Sequence, residues 1–590
     1  MQIHYKNNQL EKVLIGIKVI TSAIVVASFV MLFGFYEPIV PTWILLNVQI
    51  TLLCVFIVGK VIRFFNAEST KEYLLANWYE FPLLIALGVI IFGSGRWFGM
   101  FEPGKVRQLA VGIYLVIEVV TKICITSVTL AASGKNPTKT LLVSFLVLII
   151  AGAGLLALPR SSVESVKISP IDALFTATSA TCVTGLIVRD TGKDFSQMGQ
   201  IIILGLIQLG GLGIVVFGAV IALLLGQAGL REKVAMQDLL SASTLGRISN
   251  MIVFIFAWTM LIEAAGAVSI FGMWHDVPGR VGDVNQQWFY SIFHSISAFC
   301  NAGFGLFGDS FVGYNKSWQL YAVICPLMIF GGLGFGVLYN LVSVAFDRTK
   351  RFFKKLFSKK HRFSMEAPRR MQLQTKIVLS VSVILIVLGT LGILLSEHYT
   401  GDGSIGIAGA FFQSISARTT GFNTVDISAM SAQSKFVLIL LMFIGGSPGS
   451  TAGGIKTVTL AVIVMAVFAT LRKRHEVEMF KRSVGMAVIG RAVTVTLVFV
   501  VVLFVTVMAL SITERGCGFT MSDIFFESAS ALGTVGLTAG ITPSLTAAGK
   551  LIIIAVMLIG RLGPLTLLAA LTFNLKPARY NYPQEAVIVG

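Results

Sequence analysis

A chain of 590 residues that is 55% hydrophobic and only 13% charged is not composed as a soluble domain, in which about a quarter of the residues carry charge. The net charge of +18 would raise nucleic acid in a soluble protein. Here Lys and Arg concentrate in alternate loops between apolar runs, the pattern that keeps those loops cytoplasmic. The six cysteines lack CxxC spacing and the six histidines lack an HxxxH pair, which excludes a disulfide framework and a zinc site.

Apolar runs of the length that crosses a bilayer as a helix predict twelve spans, near 11–34, 42–62, 80–95, 108–132, 139–158, 199–225, 251–273, 317–345, 375–396, 434–469, 492–512 and 549–573. The fold class expected is an all-α polytopic membrane protein. The first span has a basic flank without a small-residue cleavage site, so it reads as a retained helix. The charge distribution places both termini in the cytoplasm, and with them the run "RTKRFFKKLFSKKHRFSMEAPRR" at 348–370, a topogenic loop suited to anionic headgroups or to docking a partner. The first four spans lack arginines at every third position, which argues against a voltage sensor. No role is assigned to them.

From the fifth span onward the chain repeats. "ATSATCVTGL" from 177, "SISAFCNAGFG" from 295, "SISARTTGF" from 414 and "SASALGTVGL" from 528 each lie between two apolar spans. Their shared glycines are Gly185, Gly303, Gly421 and Gly536, at steps of 118, 118 and 115 residues. Unit three has one residue fewer between its Ser-Ala pair and its glycine. The chain divides into an extension (1–133), unit one (134–230), unit two (231–346), a basic loop (347–371), unit three (372–470), unit four (471–575) and a tail (576–590). Each unit crosses twice, so all four stand the same way up, and four parallel span–pore-loop–span units imply a pseudo-fourfold ring around a central pore. Inverted repeats need an odd number of crossings.

Non-helical backbone at membrane depth is tolerated only when buried in protein or facing a watery cavity. Four such segments around one axis can replace the water shell of a cation with carbonyl oxygens. Glycine accepts the backbone angles this needs, and Ser/Ala-rich helices ahead of each segment aim their negative C-terminal ends at the ion. The filter candidates are Cys182, Val183, Thr184 and Gly185; Cys300, Asn301, Ala302 and Gly303; Arg418, Thr419, Thr420 and Gly421; and Gly533, Thr534, Val535 and Gly536. Asp190, Asp309 and Asp426 follow three of the glycines, either as a cation-concentrating mouth or as caps of the return helices. "GGLG" at 210–213 and 331–334, "GGSPG" at 445–449 and "GRLG" at 560–563 mark the second spans, where glycine allows close approach or a bend.

"CVTGL", "CNAGF", "SARTTGF", "GGSPGSTAGGIKT" and "GRLGPLT" together resemble the Trk/Ktr/HKT superfamily, closest to its TrkH/KtrB-type potassium translocation subunits, over about residues 139–575. The resemblance implies four linked potassium-channel-like units, a filter of four glycines, a homodimer, and a cytoplasmic RCK-type nucleotide-binding regulatory subunit. It also implies potassium as the transported ion, since glycine rather than serine stands at 185. The four-span extension departs from shorter family members. The resemblance assigns 445–457 as an intramembrane loop interrupting the inner helix beneath the filter, faced by Arg561. The residues agree: Gly445, Gly446, Pro448, Gly449, Gly453 and Gly454 cannot sustain a continuous helix, and Arg561 is a charge within a span. Lys456 reads as a cytoplasmic-side residue of this gate, whose glycines let it move without repacking side chains.

"GFGLFG" at 303–308 and "GAGLLA" at 152–157 approach a dinucleotide fingerprint without a strand–helix context, so no nucleotide is expected in this chain. An intramembrane enzyme lacks a nucleophile–base pair or metal cluster within the spans. The rival readings are a sodium- or proton-coupled potassium symporter, for which Glu263 and Glu527 are the candidate relay groups, and a sodium-permeable member of the same superfamily. The membrane expected is the bacterial inner membrane.

Overall fold

The computed structural model describes residues 5–78, 80–97, 137–213, 248–276, 282–357, 368–400, 405–474 and 476–563, with a few positions between 111 and 118. From residue 137 onward the same three helices recur four times. The outer helices are Pro137–Leu156, Ile248–Ile270, Leu373–Thr400 and Met486–Thr513; the shorter pore helices are Pro170–Thr181, Val284–Cys300, Ile407–Ser416 and Met521–Gly533. The inner helices are Gln197–Leu212, Cys325–Leu333, Ala432–Phe443 and Ala547–Leu562.

Local chemistry sets these boundaries. Ser169 caps the first pore helix by accepting from Asp172 N, with Pro170 at the first helical position, where its missing N–H costs nothing. Thr520 and Asp523 form a capping box on the fourth. Ser196, Ser431 and Thr546 cap three inner helices at matching positions. The second inner helix instead starts from a π-helical turn, Leu320–Ile324.

The units close into a ring. Each inner helix packs on the pore helix of the next unit, one to two, two to three and three to four, and the inner helix of unit four packs on the pore helix of unit one. The buried core follows this circuit, with Phe175, Phe293, Phe412 and Phe526 fully buried on the four pore helices. Outward faces are apolar and exposed: Val493, Leu497, Val501, Phe504 and Met508 form such a stripe on the fourth outer helix, as lipid contact requires. Among the described residues five helices are long and apolar enough to cross a membrane, counting the first two of the chain.

The first, second and fourth inner spans differ from the unbroken helices the apolar runs predict, while the third breaks where its glycine-rich run predicts. The first stops at Leu212 before Gly213, at φ 82°, and the fourth at Leu562 before Gly563, also at φ 82°. The second turns by 105° at Gly334 (φ 88°) and continues as Phe335–Phe357. That continuation takes up the first part of the basic run expected as loop, so 348–357 are helical. The third breaks over 444–456 and resumes as Thr457–Leu471. Hydropathy averages over these glycines, whereas a positive φ ends a right-handed helix at one residue. The chain is all-α in class, and its one sheet among the described residues is a short hairpin pairing Val477–Met479 with Arg482–Val484. Its turn residues Phe480 and Lys481 sit at φ 50° and 62°.

The extension forms helices Asn8–Phe33, Thr42–Asn66, Thr70–Ala76 and Glu80–Trp97; most of its expected fourth span lies outside the described residues. Its polar groups meet inside. Lys18 Nζ is 2.6 Å from Glu118, Lys60 Nζ lies 3.0 Å from Glu118 and 3.4 Å from Glu80, and Arg63 pairs with Glu11 at 3.1 Å. The extension meets unit one where Tyr36 donates to Ser162 O (2.7 Å) and Arg160 N to Gly34 O (3.0 Å).

Candidate functional site

The four repeat glycines meet. A Cβ built on Gly185 would lie 2.4 Å from Ala302 O; on Gly303, 2.2 Å from Thr420 O; on Gly421, 2.2 Å from Val535 O; and on Gly536, 2.3 Å from Thr184 O. Each glycine faces the carbonyl before the next, and the fourth faces the first, so the circuit is closed. All four have φ between 68° and 92°. Two residues earlier, Val183, Asn301, Thr419 and Thr534 are also left-handed, at φ 56°, 57°, 86° and 51°. The residue between them is not, and this alternation turns successive carbonyls to one side. The glycines line a cavity of about 400 Å³.

A serine on each pore helix braces its segment. Gly185 N donates to Ser179 Oγ and Gly536 N to Ser530 Oγ, both at 3.1 Å. Ser297 Oγ donates to Phe304 O (2.8 Å) and Ser416 Oγ to Phe422 O (2.5 Å). The Ser-Ala pairs that set the repeat register contain these serines, but their role as braces is not visible in the pattern alone. Three residues before Ser297, His294 donates from Nδ1 to Tyr290 O (2.8 Å) and accepts Leu306 N at Nε2 (3.2 Å). At the equivalent position in unit four, Glu527 accepts from the hydroxyls of Thr538 and Thr542. Both hold the return segment from behind.

The other candidates divide. Arg418 turns away from the ring, its guanidinium donating to Ser382 O (3.3 Å) and Ser382 Oγ (3.2 Å) on the outer helix. Cys300 faces Gln208 and Glu263, and Gln208 Nε2 donates to Glu263 at 3.1 Å. Cys182 is buried at the end of the first pore helix. Asp309 and Asp426 line the cavity with the glycines, whereas Asp190 is not among its lining residues. The alternative of helix caps gives way to a different one. Asp190 accepts Gly192 N and Lys193 N, and Asp426 accepts Ser428 N, all as turn formers; hydroxyls cap the return helices of units one, three and four instead.

Below the ring, the segment 444–456 folds back on itself through Gly445 N to Ile455 O (2.9 Å) and Thr457 N to Gly446 O (3.1 Å). It seats on the broken helix of unit two: Ser447 N donates to Gly332 O (3.0 Å) and Phe335 N to Gly449 O (2.9 Å). Two cations take its carbonyls. Lys456 Nζ turns back onto the loop, to Ala452 O (2.7 Å) and Gly453 O (3.4 Å). Arg561 donates to Thr451 O, and also to Gly210 O (2.5 Å) and Gly211 O (3.2 Å) at the end of the first inner helix. Gly446 would place a Cβ 2.6 Å from Ala452, and Gly453 would place one 2.1 Å from Thr534 Oγ1. Gly449 and Gly454 have positive φ. The loop is therefore seated by hydrogen bonds and close packing, and moving it breaks specific contacts, contrary to a segment that shifts freely.

Glycine also serves close approach. A Cβ on Gly210, Gly331 or Gly560 would lie 2.0, 1.9 or 2.1 Å from the terminal pore-helix carbonyls of Thr181, Phe299 and Leu532. Ion pairs close the seams between units: Lys550 to Asp172 (2.7 Å) joins unit four to unit one, and Lys435 to Asp523 (3.9 Å) joins three to four. Sequence reasoning names Arg561 as a charge within a span and Glu263 and Glu527 as candidate relay groups, and misses these pairs and the Lys18–Glu118–Lys60 cluster, whose partners lie far apart along the chain.

A membrane-embedded ring of four pore-helix units is the architecture of a channel-like transporter and not of an enzyme. The family model described as TrkH, cation transport protein, matches residues 113–580, and the chain belongs to that family. It is 38% identical over 468 residues to the Ktr system potassium uptake protein B of Bacillus subtilis, covering 77% of this chain and 97% of that one. It is 34% identical over 466 residues to the potassium/sodium uptake protein NtpJ of Enterococcus hirae, covering 77% and 97%. In fold it matches the potassium transporter TrkH from Vibrio parahaemolyticus, with a TM-score of 0.58 and 18% identity, over 84% of this chain and 98% of the other.

Proposed function

We propose that this protein carries potassium ions across the bacterial inner membrane through the ring of Gly185, Gly303, Gly421 and Gly536, with both termini cytoplasmic. The closed circuit of glycines facing carbonyls carries the reading. A dehydrated cation on the axis exchanges its water shell for oxygens such as those of Thr184, Ala302, Thr420 and Val535. Asp309 and Asp426 in the mouth cavity raise the local cation concentration. The names of the relatives, a potassium uptake protein and a potassium/sodium uptake protein, favour an alkali cation, and glycine at 185 favours potassium.

The loop 445–457 is the gate in this reading. Two fixed cations, Lys456 and Arg561, stand with it beneath the ring, and their charge opposes cation passage. A cytoplasmic RCK-type nucleotide-binding subunit displaces the loop, and the transporter works as a homodimer. The division into an extension and four units follows the same scheme. Glu263 and Glu527 each sit in a separate hydrogen-bonded cluster, which favours uniport over coupled transport. Protein purified together with its regulatory subunit, in liposomes with a membrane potential and no sodium or proton gradient, tests it. Potassium accumulation that follows the potential is expected; accumulation only when a sodium or proton gradient is imposed overturns the uniport reading.

A further inference from the structure

One buried amide joins the loop to the filter. Asn301 ends the second pore helix in the left-handed region, at φ 57°. In the orientation that satisfies both of its ends, its amide nitrogen donates to Thr420 Oγ1 (2.7 Å) and Met328 O (3.1 Å). Its oxygen accepts from Thr451 Oγ1 and Gly332 N, each at 3.0 Å. Met328 and Gly332 are the i and i+4 pair of the last turn of the second inner helix, just ahead of its break at Gly334. Thr420 precedes the filter glycine of unit three. Thr451 belongs to the loop, and its carbonyl receives Arg561. Asn301, Thr420 and Thr451 are each 1% exposed, so water does not compete for these bonds, and losing one leaves a buried polar group without its partner. At the equivalent filter position units one, three and four have Val183, Thr419 and Thr534, so only unit two carries an amide there.

We infer that Asn301 is a positioning residue that couples the loop to the filter. Through Thr451 the amide takes part of its hold on the filter segments of units two and three from the loop, and a movement of the loop that opens the pore while keeping this bond leaves the ion preference of the ring intact. This rests on the reading of the ring as a filter and the loop as a gate.

The test measures potassium-to-sodium permeability ratios in liposomes. Thr451→Val removes the hydroxyl from a residue outside the ring, and Asn301→Gly removes the amide while keeping the left-handed backbone. Each is expected to lower the ratio about three- to tenfold, the value of one buried hydrogen bond. The double variant should be no worse than the more severe single one, and Thr451→Ser, which keeps the hydroxyl, should restore the ratio. If Thr451→Val does not accumulate, Thr451→Ala carries the same comparison. A wild-type ratio in the folded Thr451 variant overturns the coupling, as do effects that multiply in the double variant. A wild type that passes no cation overturns the filter reading beneath it.

Discussion

Gly421 shows how narrow the choice is at single positions. At φ 91°, with a phantom Cβ 2.2 Å from Val535 O and 3.0 Å from Gly536 Cα, no other residue fits without moving the backbone of unit four. Arg561 is constrained differently, by three carbonyls from two other units that only a guanidinium's fan of donors can reach together. Replacing it with glutamine shortens the side chain and removes the charge, so the seated loop loses a charge-assisted bond worth about 1.5–3 kcal/mol. Arg561→Gln should therefore raise potassium flux about tenfold or more without the regulatory subunit, read as initial uptake into liposomes. Flux that stays low and partner-dependent would show that the loop is not the barrier. The four ring glycines were legible because periodic spacing is a property of sequence. Asn301 was legible as a filter candidate, but not as a bridge. Its partners Met328, Gly332, Thr420 and Thr451 belong to other segments and meet it only in the closed ring.

At the scale of elements, the pattern of apolar runs locates each helix pair but overstates the inner spans. A single glycine at positive φ barely lowers the hydropathy of a 20-residue window, yet it stops the helix at Leu212, Leu333 and Leu562. The interrupted third inner helix was legible because six of its breakers fall within ten residues. Pore helices meet inner helices of the preceding unit, and the seam between units four and one is held by Asp172, which Lys550 (2.7 Å) and Arg189 (3.0 Å) approach together. The Asp172 carboxylate is 4% exposed and the Lys550 side chain 15%, so this is not a solvated surface pair. Lys550→Met should cost about 1.5–3 kcal/mol, seen as a lower melting midpoint of the detergent-solubilised protein. Asp172→Asn, which strands both cations, should cost at least as much. An unchanged midpoint in both variants would place the closure of the ring elsewhere.

The whole molecule is a ring of four unlike copies beside an extension of which the family model leaves out all but the last part, since the match begins at residue 113. In the extension Lys18 and Lys60 pair with Glu118 and Arg63 with Glu11, which lets these ionisable groups stand inside a bilayer. Within the ring, the copies diverge at single positions. Unit three carries the loop, unit four the arginine bonded to it, and unit two the amide between the loop and the glycine ring. The central claim is that the four glycines, acting as one ring, choose the ion. Reversal potentials measured across bilayers with opposed potassium and sodium gradients test it most directly, in the wild type and in Gly185→Ser, Gly303→Ser, Gly421→Ser and Gly536→Ser. The wild type should reverse near the potassium potential. Each folded variant should shift towards the sodium potential by the equivalent of about a tenfold loss of selectivity, the value of one displaced carbonyl contact. Folded variants that all reverse where the wild type does would contradict the account.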